Sequence, residues 1–534
     1  MRAMDRILLF APVLCCAIAA AHAQPVPPPG YDVRSYGATG AGLIKDTEAV
    51  QQAIDACAEA GGGTVIFPPG TYLCGSLRLK SRVLLWLGHG ATLLGCKHKD
   101  DYDPLEELAF ENDADVETSF FHRSLIWGED VEHVGIGGTG VIDSNFVRRG
   151  GPKAIALKRC RFVDIQSIRI VNVPNYAVSL LGTDDVNIDG VTILNGFADG
   201  IDPDSCRNVR IANCRIETVD DAIVPKASFS LGERRHSERI TVTNCVLSTV
   251  CNGFKLGTES GGGFRRIAVS NCVITGHSDQ RPAISGIALE SVDGADLDGV
   301  VVSNITMVNV RAPIFLRLGN RGRDMDTPVA GTLRNISINN IVATRASLAC
   351  SVTGIPGHPV QGVTLSDVRI EFTGGNPRHP SDVPVPEQID RYPEALMFGP
   401  LPAYGLFCRH VEGLTLRNLQ FTYTDPFWRL TTDVYRDVRW PVESGPPSHS
   451  EPADAGHALF CEDVHGLDID GFGARPSADG AALFHFAQVG DALIRGCRAP
   501  EDMAVFLETV DCASGDLHLE GNAFPEGAVP VKEL

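Results

Sequence analysis

With 534 residues, 44% hydrophobic and 21% charged, the chain carries enough apolar side chain to build a core, which excludes a disordered polymer. A net charge of −20 argues against nucleic acid as a partner, because phosphate binding needs a basic face. The acidic balance is read as a solvated surface and leaves room for a local basic spot.

In chain order, residues 1–23 read as an export leader. Arg2 and Arg6 begin it, an apolar run from Ile7 to Ala20 follows, and Ala21-His22-Ala23 supplies a small-x-small cleavage site. The run is short for a membrane span. Residues 24–534 are therefore expected as one soluble domain, periplasmic or secreted. The 16 cysteines match neither a small disulfide scaffold nor a C-x-x-C zinc pattern, and read as small buried apolar side chains.

Asp46 to Ala60 predicts a helix, with Asp46 as N-cap and Val50, Ile54 and Cys57 on one face. From Val163 onward a strand unit of alternating apolar residues recurs. Copies start at Val163, Val186, Val209, Ile240, Ile267, Val300, Ile336, Val363 and Leu414. Alternation means half-buried strands, and a fixed unit at variable spacing means stacked coils with unequal loops. The fold class is accordingly all-β, a right-handed parallel β-helix whose N-terminal helix caps the open end. One position in the unit is Asn213, Asn244, Asn271, Asn304, Asn340 and Asn418, with Asp367 in the same place. This predicts a polar ladder at the bend between strands. Cys214, Cys245 and Cys272 follow the ladder and should point inward.

A second strand series lies between these units, at Tyr176–Leu180, Gly200–Asp202, Ala222–Val224, Gly253–Leu256, Gly286–Glu290 and Pro313–Leu318. A proline-rich insertion at 374–403 interrupts the pattern. A Pro/Ser-rich loop spans 441–452, and weaker coils resume at Leu459.

The chemistry-bearing stretch is Phe197-Ala-Asp199-Gly-Ile-Asp202-Pro-Asp204, followed by Thr218-Val-Asp220-Asp221 and Lys226. Asp199 and the Asp220-Asp221 pair each precede a strand of the second series on consecutive coils, so their carboxylates should converge. Three such groups repel one another and raise at least one pKa. That suits glycoside cleavage, which needs one protonated acid and one ionised base. Asp202 and Asp204 read instead as turn formers that bond the backbone. Clustered carboxylates also bind calcium, so a metal site is a further reading of the same residues.

The run from Asp199 to Lys226 resembles the signature of the glycoside hydrolase family of polygalacturonases and rhamnogalacturonan hydrolases. That family reads N-T-D-G-I-D, G-D-D, H-G and R-I-K, and the likeness extends from about Tyr31 to Leu318. The resemblance implies a β-helix and inverting hydrolysis, with Asp220 as general acid and Asp199 and Asp221 as the pair that holds and deprotonates water. It implies no cofactor or metal. Three positions depart from the pattern: Phe197-Ala198 stands for Asn-Thr, Asn252 for histidine, and Ala288-Leu289-Glu290 for Arg-Ile-Lys. In the family those two cations are thought to grip a galacturonate carboxylate, which Glu290 would repel.

Strand parity places Lys255, Glu290 and Arg317 outward on neighbouring coils. Lys255 and Arg317 either replace the missing cations, or the subsite takes a neutral sugar with Glu290 bonding its hydroxyls, or the three form a surface salt network. Asn252, Lys255, Glu290, Arg317 and Lys226 are thus the candidate substrate-binding residues. Tyr392, Glu394 and Trp428 are left unassigned. The expected activity is hydrolysis of a pectin-type or related plant cell-wall polysaccharide by a monomer. The alternatives are a β-helix polysaccharide lyase and a catalytically impaired carbohydrate-binding β-helix.

Overall fold

Apolar residues at every second position build strands with one face inward, and the chain stacks those strands coil upon coil. The computed structural model describes residues 30–374, 384–430, 450–452, 455–477, 480–501 and 503–534. The leader at 1–23, part of the 374–403 insertion and most of the 441–452 loop lie outside the described residues. The result is a right-handed parallel β-helix. The recurrent units pair in unbroken parallel register, Val163 with Val186, Val186 with Val209 and Val209 with Ile240. The series continues through Ile267, Val300, Ile336, Val363, Leu414 and Leu467 to Ala492.

The predicted bend residues share one backbone state. Asn213, Asn244, Asn271, Asn304, Asn340, Asp367 and Asn418 all have φ between 51° and 58°. Asn and Asp tolerate this left-handed region better than other side chains that carry a Cβ. The amides then bond along the stack: Asn304 Nδ2 donates to Asn271 Oδ1 (3.0 Å), Asn340 to Asn304 (2.7 Å) and Asn418 to Asp367 (2.7 Å). Asn271 departs from the ladder by donating to Thr243 Oγ1. Cys214, Cys245 and Cys272 are buried in the core, and the described cysteines form no disulfide.

The capping helix is Thr47–Glu59, with Val50, Ala53, Ile54 and Cys57 buried. Asp46 holds the N-cap position but makes no capping hydrogen bond. Its carboxylate accepts instead from the Thr39 amide (2.6 Å) and the Gly40 amide (3.1 Å), tying the preceding turn to the helix start. A second correction concerns Ala222–Val224. It is no continuous strand and pairs only through isolated bridges at Ile223. Pro225 follows it and has no N–H to continue a ladder.

The described part of the insertion lies on the outer face of the second series. Val385, Phe398 and Leu401 pack there with Ala288, Phe315, Ala349 and Phe407. Arg317 and Arg409, both buried, reach up to donate to the carbonyls of Glu387 and Gln388, and of Val385 and Pro386. Among the described residues no helix is long and apolar enough to cross a membrane.

Asn304→Ala puts a Cβ without a compensating amide into the left-handed bend. It is expected to cost about 1–2 kcal/mol, and Asn304→Gly less. Equilibrium urea unfolding checks this, and equal losses for the two variants would contradict the backbone argument.

Candidate active site

The second strand series carries one polar column across successive coils. Backbone bonds run from Ala154 N to Tyr176 O, Ala177 N to Asp199 O, Gly200 N to Asp221 O and Ala222 N to Asn252 O. Tyr176, Asp199, Asp221 and Asn252 therefore stand at one position on four consecutive rungs, about 4.8 Å apart. Asp220 precedes the third rung. Its carbonyl accepts from the Thr218 hydroxyl (2.8 Å) and the Thr249 hydroxyl, which fixes the peptide.

The three predicted carboxylates do converge. The Asp221 amide donates to Asp199 Oδ1 (3.2 Å) and Asp220 Oδ1 (3.1 Å), so two carboxylates meet at the backbone of the third. Asp221 Oδ1 accepts from the Asn252 amide (3.1 Å) and Nδ2 (2.7 Å). Lys255 Nζ lies 3.2 Å from Asp221 Oδ2.

Burial and neighbouring charge divide the trio. Asp199 is buried, and loss of solvation pushes its pKa well up despite the attraction of Lys226, with Asp220 and Asp221 adding to the rise. For Asp220 burial also acts upward, but the charge and hydrogen bond of Arg149 outweigh it and hold the carboxyl below its ordinary value. The Asp220 side chain keeps 25% of its surface exposed, so Asp220 is the carboxylate that faces solvent.

Lys226 is a counter-ion rather than an open substrate contact. It donates to Asp199 Oδ2 (2.8 Å), Asp202 Oδ2 (2.5 Å) and the Tyr176 hydroxyl (3.1 Å), which uses its three N–H groups. The positive charge a calcium ion would bring between Asp199 and Asp202 is supplied by this ammonium. Burial raises Asp202 to about 6. Asp204 has the structural role expected of a turn residue, accepting from the Ser228 amide (2.8 Å) and the Ser205 hydroxyl (3.0 Å).

Beyond Asn252, Lys255 pairs with Ala288, and Glu290 with Arg317, in the parallel register. Ile287 and Leu289 point into the core. Lys255 Nζ sits between Asp221, Glu290 Oε2 (3.8 Å) and the Tyr392 hydroxyl (3.5 Å). Glu290 is buried, and its Oε2 has no hydrogen-bond partner. Loss of solvation pushes its carboxyl up to about 8, against the pull of Lys255. Arg317 faces outward as parity requires, yet it is fully buried under the insertion and donates to the carbonyls of Gly354 (2.9 Å), Glu387 (2.7 Å) and Gln388 (3.1 Å). It is an anchor for the insertion, not a replacement cation beside Lys255.

Several site residues were not legible in the sequence. Arg149 bonds both Glu117 and Asp220 from the loop between the strands Val141–Asp143 and Lys153–Lys158. No periodic pattern marks that loop. Tyr176 carried a signal, since it lies one 23-residue period before Asp199 in the register that pairs Val178 with Ile201. Lys153, a rung earlier, is enclosed with its ammonium 3.7 Å from the Phe121 ring centre, and burial pushes it down to about 7. Tyr392, left unassigned, stands over Lys255.

The sequence profile of glycosyl hydrolases family 28 matches residues 107–387. A probable polygalacturonase of Vitis vinifera is 26% identical over 364 residues, 63% of this chain and 73% of that protein. An endo-polygalacturonase of Pectobacterium carotovorum subsp. carotovorum is 24% identical over 301 residues, 51% of this chain and 71% of its own. Among solved structures, a hyperthermoactive exopolygalacturonase from Thermotoga maritima superposes with a TM-score of 0.57 at 21% identity. It covers 74% of this chain and 92% of that one, a likeness of fold.

The Glu290 carboxyl gives a pH test of this geometry. A folded pKa of about 8 against an ordinary value of 4.5 means the folded state binds this proton more tightly. The resulting stability is fully present below pH 4.5 and is lost as pH rises through 8. Glu290→Gln removes that dependence. Its unfolding midpoint should therefore gain on the wild type as pH rises across this window, and a constant difference would contradict the burial argument.

Proposed function

Because the chain belongs to glycosyl hydrolases family 28, we propose that it hydrolyses glycosidic bonds in a pectin-type plant polysaccharide, with Asp220 as general acid and Asp199 and Asp221 as the pair that holds and deprotonates water. The supporting observation is the meeting of the Asp199 and Asp220 carboxylates at the Asp221 amide, with Asp220 the solvent-facing member of the three. In the protonated form, reached by taking up a proton against the pull of Arg149, Asp220 gives that proton to the leaving glycosidic oxygen as that bond breaks. The water oxygen bonds the anomeric carbon, and its proton passes to the Asp199–Asp221 pair. Asn252 and Lys255 hold the two oxygens of Asp221, while Lys226, which also donates to the Tyr176 hydroxyl, holds Asp199. Asn252 orients but carries no proton. Inversion, the outcome the family likeness implies, is read from the anomer first formed, by proton NMR. Membership of a hydrolase family sets the lyase alternative aside. Export follows from the leader at 1–23, and a capped solenoid is expected to act as a monomer.

The arrangement beyond Asn252 supports a neutral sugar unit at that subsite. Lys226 is matched by two aspartates and a tyrosine, Lys255 stands between Asp221 and Glu290, and both terminal nitrogens of Arg317 donate to carbonyls. A sugar carboxylate there would meet Asp221 and a lysine already matched by it, whereas a neutral sugar needs no counter-ion. The packed insertion closes the outer face on the Ala288 to Phe407 side, which supports cutting near chain ends.

Three measurements test these roles. Asp220→Asn should lower reducing-sugar release by about 10²–10⁴-fold with an unchanged circular dichroism spectrum; wild-type activity in that variant would sink the acid assignment. Arg149 holds Asp220 ionised, and a general acid works only while protonated. Arg149→Gln should therefore raise the pKa of Asp220 and move the alkaline limb of kcat/KM to higher pH, while an unmoved limb would show that Arg149 does not control the acid. On a panel of defined pectic and neutral glycans, substrates with a neutral unit should be cut faster than polygalacturonate, releasing small sugars. Polygalacturonate as the best substrate refutes the neutral subsite, and no cleavage of any glycan refutes the hydrolase reading itself.

A further inference from the structure

A second cluster of chemistry-bearing side chains lies in the late coils, beyond the residues matched by the family profile. Three consecutive outer strands, His457–Asp470, Phe484–Arg495 and Val505–Val510, each contribute one residue. His485 and Glu508 are direct register partners. His457 lies diagonally across from His485, whose own partner on that strand is Phe460. The neighbours Phe484, Phe486 and Leu507 fill the core, so strand parity turns His485 and Glu508 outward. One donor atom from each of His457, His485 and Glu508 falls within 4.8 Å of the others.

Each of the three is held in position by something else. His457 Nδ1 lies 2.9 Å from the Ala482 carbonyl, so that nitrogen donates and Nε2 keeps its lone pair. The His485 ring stacks on Phe460 with centroids 4.5 Å apart and an 8° interplanar angle, which sets the direction of its nitrogens. Lys532 Nζ binds Glu508 Oε1 at 3.3 Å and leaves Oε2 to the cluster. His485 Nδ1 is buried without a hydrogen-bond partner and lies 3.6 Å from Glu508 Oε2. That distance is too long for a hydrogen bond. It is close to the separation of two ligands on a tetrahedral ion, because bonds of about 2.0–2.2 Å at a tetrahedral angle place nitrogen and oxygen about 3.4 Å apart.

We propose that His457, His485 and Glu508 form a binding site for a zinc-class divalent metal ion that clamps three successive coils near the C-terminal end of the solenoid. Two imidazoles and one carboxylate are a borderline nitrogen and oxygen donor set, which suits zinc, cobalt(II) or nickel(II) better than calcium or magnesium. The side chains of His485 and Glu508 remain 13% and 15% exposed, which gives the ion a way in and leaves a position for water. The ion would serve stability: the end of a stack has neighbours on one side only, and a bond across three rungs restrains it.

The test uses the full-length protein stripped with EDTA and then titrated with zinc chloride. One equivalent should bind saturably and raise the melting temperature. His485→Ala and Glu508→Gln should each weaken binding at least about tenfold and abolish the rise. His457→Gln serves as a third variant should either of these fold poorly by circular dichroism. Cobalt(II) should give a visible spectrum free of thiolate-to-metal charge transfer. Glycan hydrolysis should be unchanged in all three variants, because the cluster is separate from Asp220. No saturable zinc binding, equal binding in the variants, or a thiolate band placing the ion on cysteine would each overturn the proposal.

Discussion

Coil-to-coil register is the constraint on which the rest of the molecule depends. Parallel pairing holds each residue beside its counterpart one coil on, as Val209 beside Ile240. A slip of one residue would turn every apolar side chain outward. The left-handed bend residues pin that register, since Asn271, Asn304 and Asn340 must all sit where φ is positive. Whatever stands at one coil position is thereby stacked on its neighbours. The same rule produces a column of buried cysteines inside and the column Tyr176, Asp199, Asp221 and Asn252 outside.

Stacking acidic groups on a buried face carries an electrostatic cost, and the surroundings decide how it is met. Removing an ion from water costs several kcal/mol unless partners are supplied. Lys226 answers Asp199 and Asp202, and Lys255 answers Asp221. Glu290 is left over, and its carboxyl responds by holding its proton. Arg149 answers Asp220 from a loop rather than from the column. The ionisation of Asp220 is therefore tied to the position of a side chain on an irregular segment. The cations that look free in a strand pattern are matched within the protein.

The insertion shows how a buried charge can build a wall instead of a binding site. Arg317 and Arg409 stand on the outer face, and each donates to carbonyls of the segment 385–388. Backbone carbonyls accept from the terminal nitrogens of both guanidinium groups, and Phe398 lies over the two. The column that holds Glu290 on one coil thus carries the loop anchors Arg317 and Arg409 on later ones.

The amino-acid sequence by itself determined the β-helix, the bend ladder, the inward cysteines and the convergence of Asp199, Asp220 and Asp221. These follow from two-residue alternation and from spacing along the chain, which are local properties that the sequence displays directly. Strand parity likewise set which way Lys255, Ala288, Glu290 and Arg317 point. The tertiary structure alone decided what those side chains meet. It brought Arg149 to Asp220, closed Lys226 into the aspartates, placed Tyr392 over Lys255 and turned Arg317 into an anchor. It also kept Ala222–Val224 from forming a full strand and drew Asp46 away from capping its helix. Each of these depends on the path of an irregular segment or on a contact between distant parts of the chain, and no repeating pattern records either.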